Sequence, residues 1–281
     1  MKNLKHRISI VLLIFFFSSC KKEETASETW QFTKMVNITK DNSGALLSID
    51  FYQKKGNQWR IVQMEPDDYT KFYLKKIVTP NAYQLPIENE NAFMTPNVRL
   101  FTPDNKVYDP GNIKWLLGEP IYFKTFNTFS YEFPDMPSQY ADVSKFSAAT
   151  YSYEQVYDNN GKNDSYIFYD FSNQKYLYYG FRAGADLILE NALTILCPSC
   201  NSIDWKNIDA ATCTVNYSTA EDLYYFFDFD AKKFYIITRI NKNSNNPSFT
   251  FDTGLVINFN EAFFNEAGSN VGNELPFDFS K

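Results

Sequence analysis

The sequence is nearly without histidine. Its 281 residues contain one, His6, inside the first twenty positions. Everything after that point lacks the imidazole needed for Ser-His-Asp or Cys-His catalysis, for His-ligated zinc and for His-ligated haem. No catalytic constellation is assigned, and no metal site or cofactor. Carboxylate-only chemistry, as in glycosidases, survives this exclusion. Positive charge is also short, with 27 Lys and Arg against 33 Asp and Glu. Three of the basic residues (Lys2, Lys5, Arg7) and none of the acidic ones precede residue 20, so the remainder carries 24 against 33, a net charge of -9. That balance excludes a basic footprint for nucleic acid and for anionic lipid surfaces. There are only four cysteines and ten glycines. The one long apolar run, Ile8 to Phe17, is interrupted only by Ser9. It is too short to span a bilayer, which takes about 20 apolar residues.

What the chain has in abundance is aromatic: 27 Phe and 20 Tyr, 18% with Trp. Aromatic and β-branched enrichment between Asn, Asp and Gly turns points to strands. The fold class expected is all-β, in a single β-rich domain over 30–281 with at most one or two short helices. About 250 residues suffice for one core.

The amino-terminal stretch carries the clearest signal. A cationic start, an apolar core, Ser18-Ser19 and then Cys20 have the layout of a secretory signal. Phe17-Ser18-Ser19-Cys20 resembles the lipobox of bacterial lipoproteins, with Phe where Leu is usual. The resemblance implies removal of residues 1–19, a covalent lipid on Cys20 and a tether over 20–29. It also implies attachment to the membrane through that lipid, with no other cofactor. The alternative is an ordinary signal peptide cut nearby. Lys21 follows the cysteine, so the aspartate of the inner-membrane retention signal is absent. Lys21-Lys22-Glu23-Glu24 resembles the surface-export signal of Bacteroidetes-type lipoproteins, and equally suits a solvated spacer. The location implied is the cell envelope, at the outer membrane, with surface exposure a further step.

Along the rest, Leu47, Ile49 and Phe51 alternate with Ser48, Asp50 and Tyr52. A Lys55-Gly56-Asn57 turn and a return over Trp59–Met64 complete a hairpin. Tyr69–Val78 and Ile121–Phe133 are strand-like. Six prolines punctuate 79–120, which disfavours long central strands there. Ala185–Leu196 reads as a helix or a buried strand, and its length and Leu/Ala content lean helical. Phe249–Phe251 and Leu255–Phe259 flank Asp252-Thr253-Gly254 as a hairpin, and Glu261–Ala267 is expected to form a helix capped by Asn260 and stopped by Gly268.

Two segments repeat. Phe146-Ser147-Ala148-Ala149-Thr150 precedes Tyr166-Ile167-Phe168-Tyr169-Asp170-Phe171 and Lys175-Tyr176. Ile208-Asp209-Ala210-Ala211-Thr212 precedes Tyr224-Tyr225-Phe226-Phe227-Asp228-Phe229 and Lys233-Phe234. The offset is 62 at the Ala-Ala pair and 58 from the later Asp onward. A repeat of strand, hairpin and strand suggests propeller blades. Over 136–241 these segments are similar to hemopexin-type repeats, which begin Asp-Ala-Ala. Ser147 replaces the Asp in the first copy, and both copies lack that family's Gly and Trp. A weaker third echo lies at 121–133. The resemblance implies a four-bladed propeller, with a β-sandwich or another antiparallel sheet as the alternative. It also implies Asp-Ala-Ala loops near a central channel, where backbone carbonyls can hold ions, and a macromolecular ligand, protein or glycan.

Three small motifs have chemical readings. In Cys197-Pro198-Ser199-Cys200 with Cys213, zinc would need more ligands, and a redox pair a thioredoxin-like setting. One disulfide is expected, most simply from the Cys197/Cys200 pair to Cys213. Asp158–Asp164 has calcium-loop ingredients without the distal acid, and Asn160-Gly161 reads first as a turn. Glu221-Asp222 would face opposite sides of a strand. Tyr176, Tyr178 and Tyr179 are candidates for stacking on sugars or for cross-strand packing. Two functions follow: a non-catalytic binding or scaffolding β-domain on a lipid anchor, or a carboxylate-dependent glycan-processing enzyme displayed at the envelope.

Overall fold

A computed structural model describes residues 29–40, 46–80, 89–96, 99–110, 123–153, 164–182, 185–197, 200, 202–215, 222–240 and 250–265. Cys20, its flanks, most of the Asp158–Asp164 loop and Glu221 lie outside them.

The strands form four antiparallel meanders. Blade 1 runs β1 (Gln31–Lys40), β2 (Leu46–Lys55), β3 (Gln58–Pro66), β4 (Phe72–Val78). Blade 2 is β5 (Phe93–Met94), β6 (Leu100–Thr102), β7 (Lys106–Pro110), β8 (Phe123–Thr128). Blade 3 is β9 (Ala148–Tyr153), β10 (Asp164–Asp170), β11 (Lys175–Arg182), β12 (Ala185–Ala192). Blade 4 is β13 (Ala210–Val215), β14 (Asp222–Asp228), β15 (Lys233–Ile240), β16 (Thr250–Asn258). The first strand of each blade neighbours those of the blades beside it, β1 against β5 and β13, β9 against β5 and β13. The sheets therefore stand around one axis as a four-bladed, propeller-like ring.

Small side chains let the inner strands approach. Ala92, Ala148, Ala149, Ala210, Ala211, Thr150 and Thr212 are all buried. Between blades the filling is aromatic. Phe101 and Phe133 meet Phe168 of blade 3, and Phe171 and Tyr169 meet Phe226 of blade 4. Phe227 and Phe229 meet Phe51 of blade 1.

Blades 2 to 4 share a device at the outer strand. A left-handed residue closes the hairpin before that strand: Asn105, Gln174 or Lys232, with φ of 60°, 54° and 53°. Its carbonyl accepts the backbone N–H of the first residue of a one-turn helix, at 2.8 Å in each case. These helices are α1 (Phe129–Glu132), α2 (Leu193–Leu196) and α3 (Phe259–Ala262), and each first residue is buried. Four residues on, Phe133, Cys197 and Phe263 occupy matching places. After α3 the chain adds β17 (Phe263–Phe264), parallel to β4, as a fifth strand of blade 1. The last described turn thus joins blade 4 to blade 1 and closes the ring.

Several expectations need correcting. Ala185–Leu196 is strand β12 followed by α2, not one helix, because Lys175–Arg182 offers its full length as a pairing partner. Asp252-Thr253-Gly254 does not turn: β16 runs through it, with a register shift opposite Ile236–Thr238. α3 begins at Phe259, two residues earlier than expected, under an Asn258–Glu261 capping box, and ends at Ala262. Among the described residues there are three one-turn α-helices, where the sequence suggests one or two, and the two legible repeats are two of four blades. Tyr176, Tyr178 and Tyr179 are buried. Among the described residues no helix is long and apolar enough to cross a membrane.

Candidate functional site

Blade 1 carries apolar residues on the face toward blade 4: Val36, Ile38, Ile49, Phe51, Val62 and Met64. Toward blade 2 its face is mixed. Met35, Tyr52, Trp59 and Ile61 pack on Ala92, Met94 and Leu100. Beside them the register sets a polar row across the whole sheet, Asn37 opposite Asp50, Asp50 opposite Gln63, Gln63 opposite Lys76. Each side chain in that row shares one face because partners in an antiparallel ladder point the same way.

The row is sealed. Asp50 is 4% exposed, Gln63 3% and Asn37 not at all. Asp50 Oδ1 accepts from Gln63 Nε2 at 2.9 Å and from Ser48 Oγ at 3.0 Å. Ser48 Oγ lies 2.6 Å from Thr39 Oγ1. Burial pushes the Asp50 carboxyl up, against the opposing pull of Gln63, Ser48, Lys76 and Asn37. The Asn37 amide is near enough to favour the charged carboxylate, without the geometry of a full hydrogen bond. The alternation at 48–52 exposed these polar residues in the sequence. What it could not show was that blades 1 and 2 bury that face, or that Asn37, Gln63 and Lys76 fall in register with Asp50.

A second polar centre lies between blades 2 and 3. Arg99 Nε meets Asp109 Oδ1 at 2.8 Å, and Arg99 Nη1 meets Glu132 Oε2 at 3.3 Å. The guanidinium also lies 5.7 Å from the Tyr166 ring centroid. Burial raises the Asp109 carboxyl and Glu132 adds to this, while Arg99 opposes both. Two carboxylates converge here, but one cation sits between them and donates a hydrogen bond to Asp109. The arrangement ties α1 and β7 together; it does not present one acid and one base to an open space, as glycoside hydrolysis requires.

The Asp-Ala-Ala segment is structural in its visible contacts. Asp209 Oδ2 accepts the Phe229 N–H at 2.8 Å, and the Asp209 N–H donates to the Phe227 carbonyl. Ser147 keeps only the backbone half of this pattern, donating to Tyr169. Burial raises the Asp209 carboxyl and lowers the Lys34 ammonium, and their mutual attraction opposes both shifts. Asp228 Oδ1 caps its own turn through the Ala231 N–H, as Asp170 does through Asn173.

The sulfur bond joins Cys197 to Cys200, rather than either of them to Cys213, which is buried on β13. Cys197 directly follows α2, and both bonded cysteines are buried. This placement is that of a brace between blades 3 and 4: a β-carbon added to Gly254 of β16 would lie 3.3 Å from Cys200 Sγ. Among the described residues no three His, Cys, Asp or Glu side chains gather as a metal site.

No family model matches the chain, and no curated protein matches it.

Proposed function

We propose that the chain is a lipid-anchored envelope protein, held through Cys20, whose propeller-like domain binds or scaffolds a macromolecule without catalysis. The observation that carries the binding reading is the packed interior. The inner strands meet through Ala, Thr and aromatic side chains, so ligands have the rims and outer edges of the ring to work with. The hemopexin-like character of residues 136–241 supports a protein or glycan ligand, since such propellers serve mostly in recognition. The leader supports the rest. A basic start, an apolar core and Ser18-Ser19-Cys20 are what lipid attachment needs. Two or three acyl chains on one residue make attachment effectively permanent, where one gives only reversible binding.

The test has two arms. Mass spectrometry of the mature amino-terminal peptide is expected to show a diacylglyceryl-modified Cys20. Cys20→Ser is expected to release the domain from the outer-membrane fraction. An unmodified thiol on a membrane-associated protein overturns the anchor. For the domain, cells lacking the protein are expected to lose capture of one partner. If they lose a hydrolytic activity that purified protein restores, the binding reading fails.

A further inference from the structure

The hydrogen bonding of the Asn37–Asp50–Gln63 row does not close. Among the described residues, both amide atoms of Asn37 and Oε1 of Gln63 have no hydrogen-bond partner, although both side chains are more than nine-tenths buried. Asp50 makes no contact ion pair among the described residues, and Lys76 acts on it only at a distance. A buried carboxylate is ordinarily paired or ligating, and a buried amide ordinarily bonded. Lys76 at the row's far end makes no contact with the carboxylate, and what the Asn37–Asp50–Gln63 part offers is oxygen. The Asp50 carboxylate, Asn37 Oδ1, Gln63 Oε1 and the Ser48 and Thr39 hydroxyls are one acid and four neutral donors on one sheet face. Hard cations take such sets of carboxylate, amide carbonyl and hydroxyl.

We propose that Asn37, Asp50 and Gln63 hold a hard cation of the sodium or calcium class on the face of blade 1 that turns toward blade 2. Gln63 can present either amide atom to Asp50 by a half-turn about its terminal bond. Ser48 and Thr39 share one short hydrogen bond and can turn a lone pair to the ion. A buried water would satisfy the orphaned amide atoms, whereas a cation would in addition hold Asp50 ionised against its burial. A single carboxylate sets weak affinity, on the order of millimolar for calcium. The site is made of side chains on a blade face, not of strand carbonyls at the axis.

The full chain, purified in detergent and stripped with chelator into tetramethylammonium buffer, is titrated separately with calcium, sodium and magnesium chlorides. Thermal unfolding is followed by near-ultraviolet circular dichroism, and bound metal is counted by mass spectrometry. A saturable rise in Tm with calcium or sodium, one ion per chain, is expected, with magnesium weaker because it demands a tighter octahedron. Asn37→Asp adds a charge and is expected to lower the calcium midpoint about tenfold. Asp50→Asn is expected to abolish the saturable rise. Stability that ignores all three salts in the native chain overturns the proposal, as does an undiminished rise in Asp50→Asn. Should Asp50→Asn fail to fold, an unchanged calcium midpoint in Asn37→Asp overturns it alone.

Discussion

The ring of Phe263 stands at 89° to that of Phe51, with their centroids 5.6 Å apart. Phe263 belongs to the last described strand and Phe51 to the second. Phe263 also meets Phe72, Phe234 and Phe259, so one side chain touches blades 1 and 4 together. Phe263→Ala removes this contact where neither blade can collapse into the gap. The expected cost is about 3–5 kcal/mol, read as a lower midpoint in denaturant unfolding. Tyr131→Ala, on the exposed face of α1, is expected to change it by less than about 0.5 kcal/mol.

Asp50 sets a pH dependence with a definite sign. Its folded-state carboxyl is raised by burial, so the native state holds a proton that the unfolded state releases first. The stability it contributes is therefore full below the ordinary carboxylate range and is lost as pH rises from there through the raised value. In chelated, sodium-free buffer the native chain is expected to lose stability over that window, and Asp50→Asn to flatten the loss. Denaturant midpoints measured from mildly acidic to neutral pH decide it. A native curve that rises instead would contradict the assignment.

Gln174 spends its φ of 54° in a region that costs a side chain about 1 kcal/mol or more and costs glycine little. Gln174→Gly is expected to stabilise the protein by up to ~1 kcal/mol. Asn105→Gly is not, because Asn105 Oδ1 accepts the Val143 N–H at 2.7 Å and that bond would be lost. Thermal midpoints of the two variants are expected to move in opposite directions.

Gly180 of β11 lies under Tyr178. A β-carbon there would overlap the Tyr178 ring and hydroxyl, which donates to Ser165 Oγ at 2.9 Å. Gly180→Ala is expected to cost about 1–3 kcal/mol and to expose tyrosine to solvent, seen as increased near-ultraviolet mobility. Here the sequence offered only a glycine inside a strand.

The Cys197–Cys200 bond closes a very short loop, with a sequence separation of three. Loop-closure entropy assigns it about 2 kcal/mol. Replacing both cysteines with serine is expected to lower stability by roughly that amount and to leave the ring folded.

Local period and turn chemistry made blade 1 readable. The alternation at 47–52 and Gly56, with its φ of 55°, place β2 and β3 to within three residues at each end. The Ala-Ala and Tyr-Phe repeats made blades 3 and 4 readable. Blade 2 was readable only at β8, inside the strand-like stretch 121–133 whose end is helix α1, because its other strands are two to five residues long and prolines crowd its approach. Ala185–Ala192 misled for a different reason: leucine and alanine favour a helix locally, and eight paired residues of β11 outweigh that preference. The polar row was half visible. Asp50 stood out, but its three partners come from other strands, and only the register unites them.

The pairing of Phe263 with Phe72 sets a timetable as well as a shape. Blades 2, 3 and 4 all separate those two residues, and loop closure over such a span is slow. The circle cannot shut until the chain is present through Phe263. A polypeptide exported from its amino end would travel as an open arc, and gain its final rigidity only after its tail had arrived.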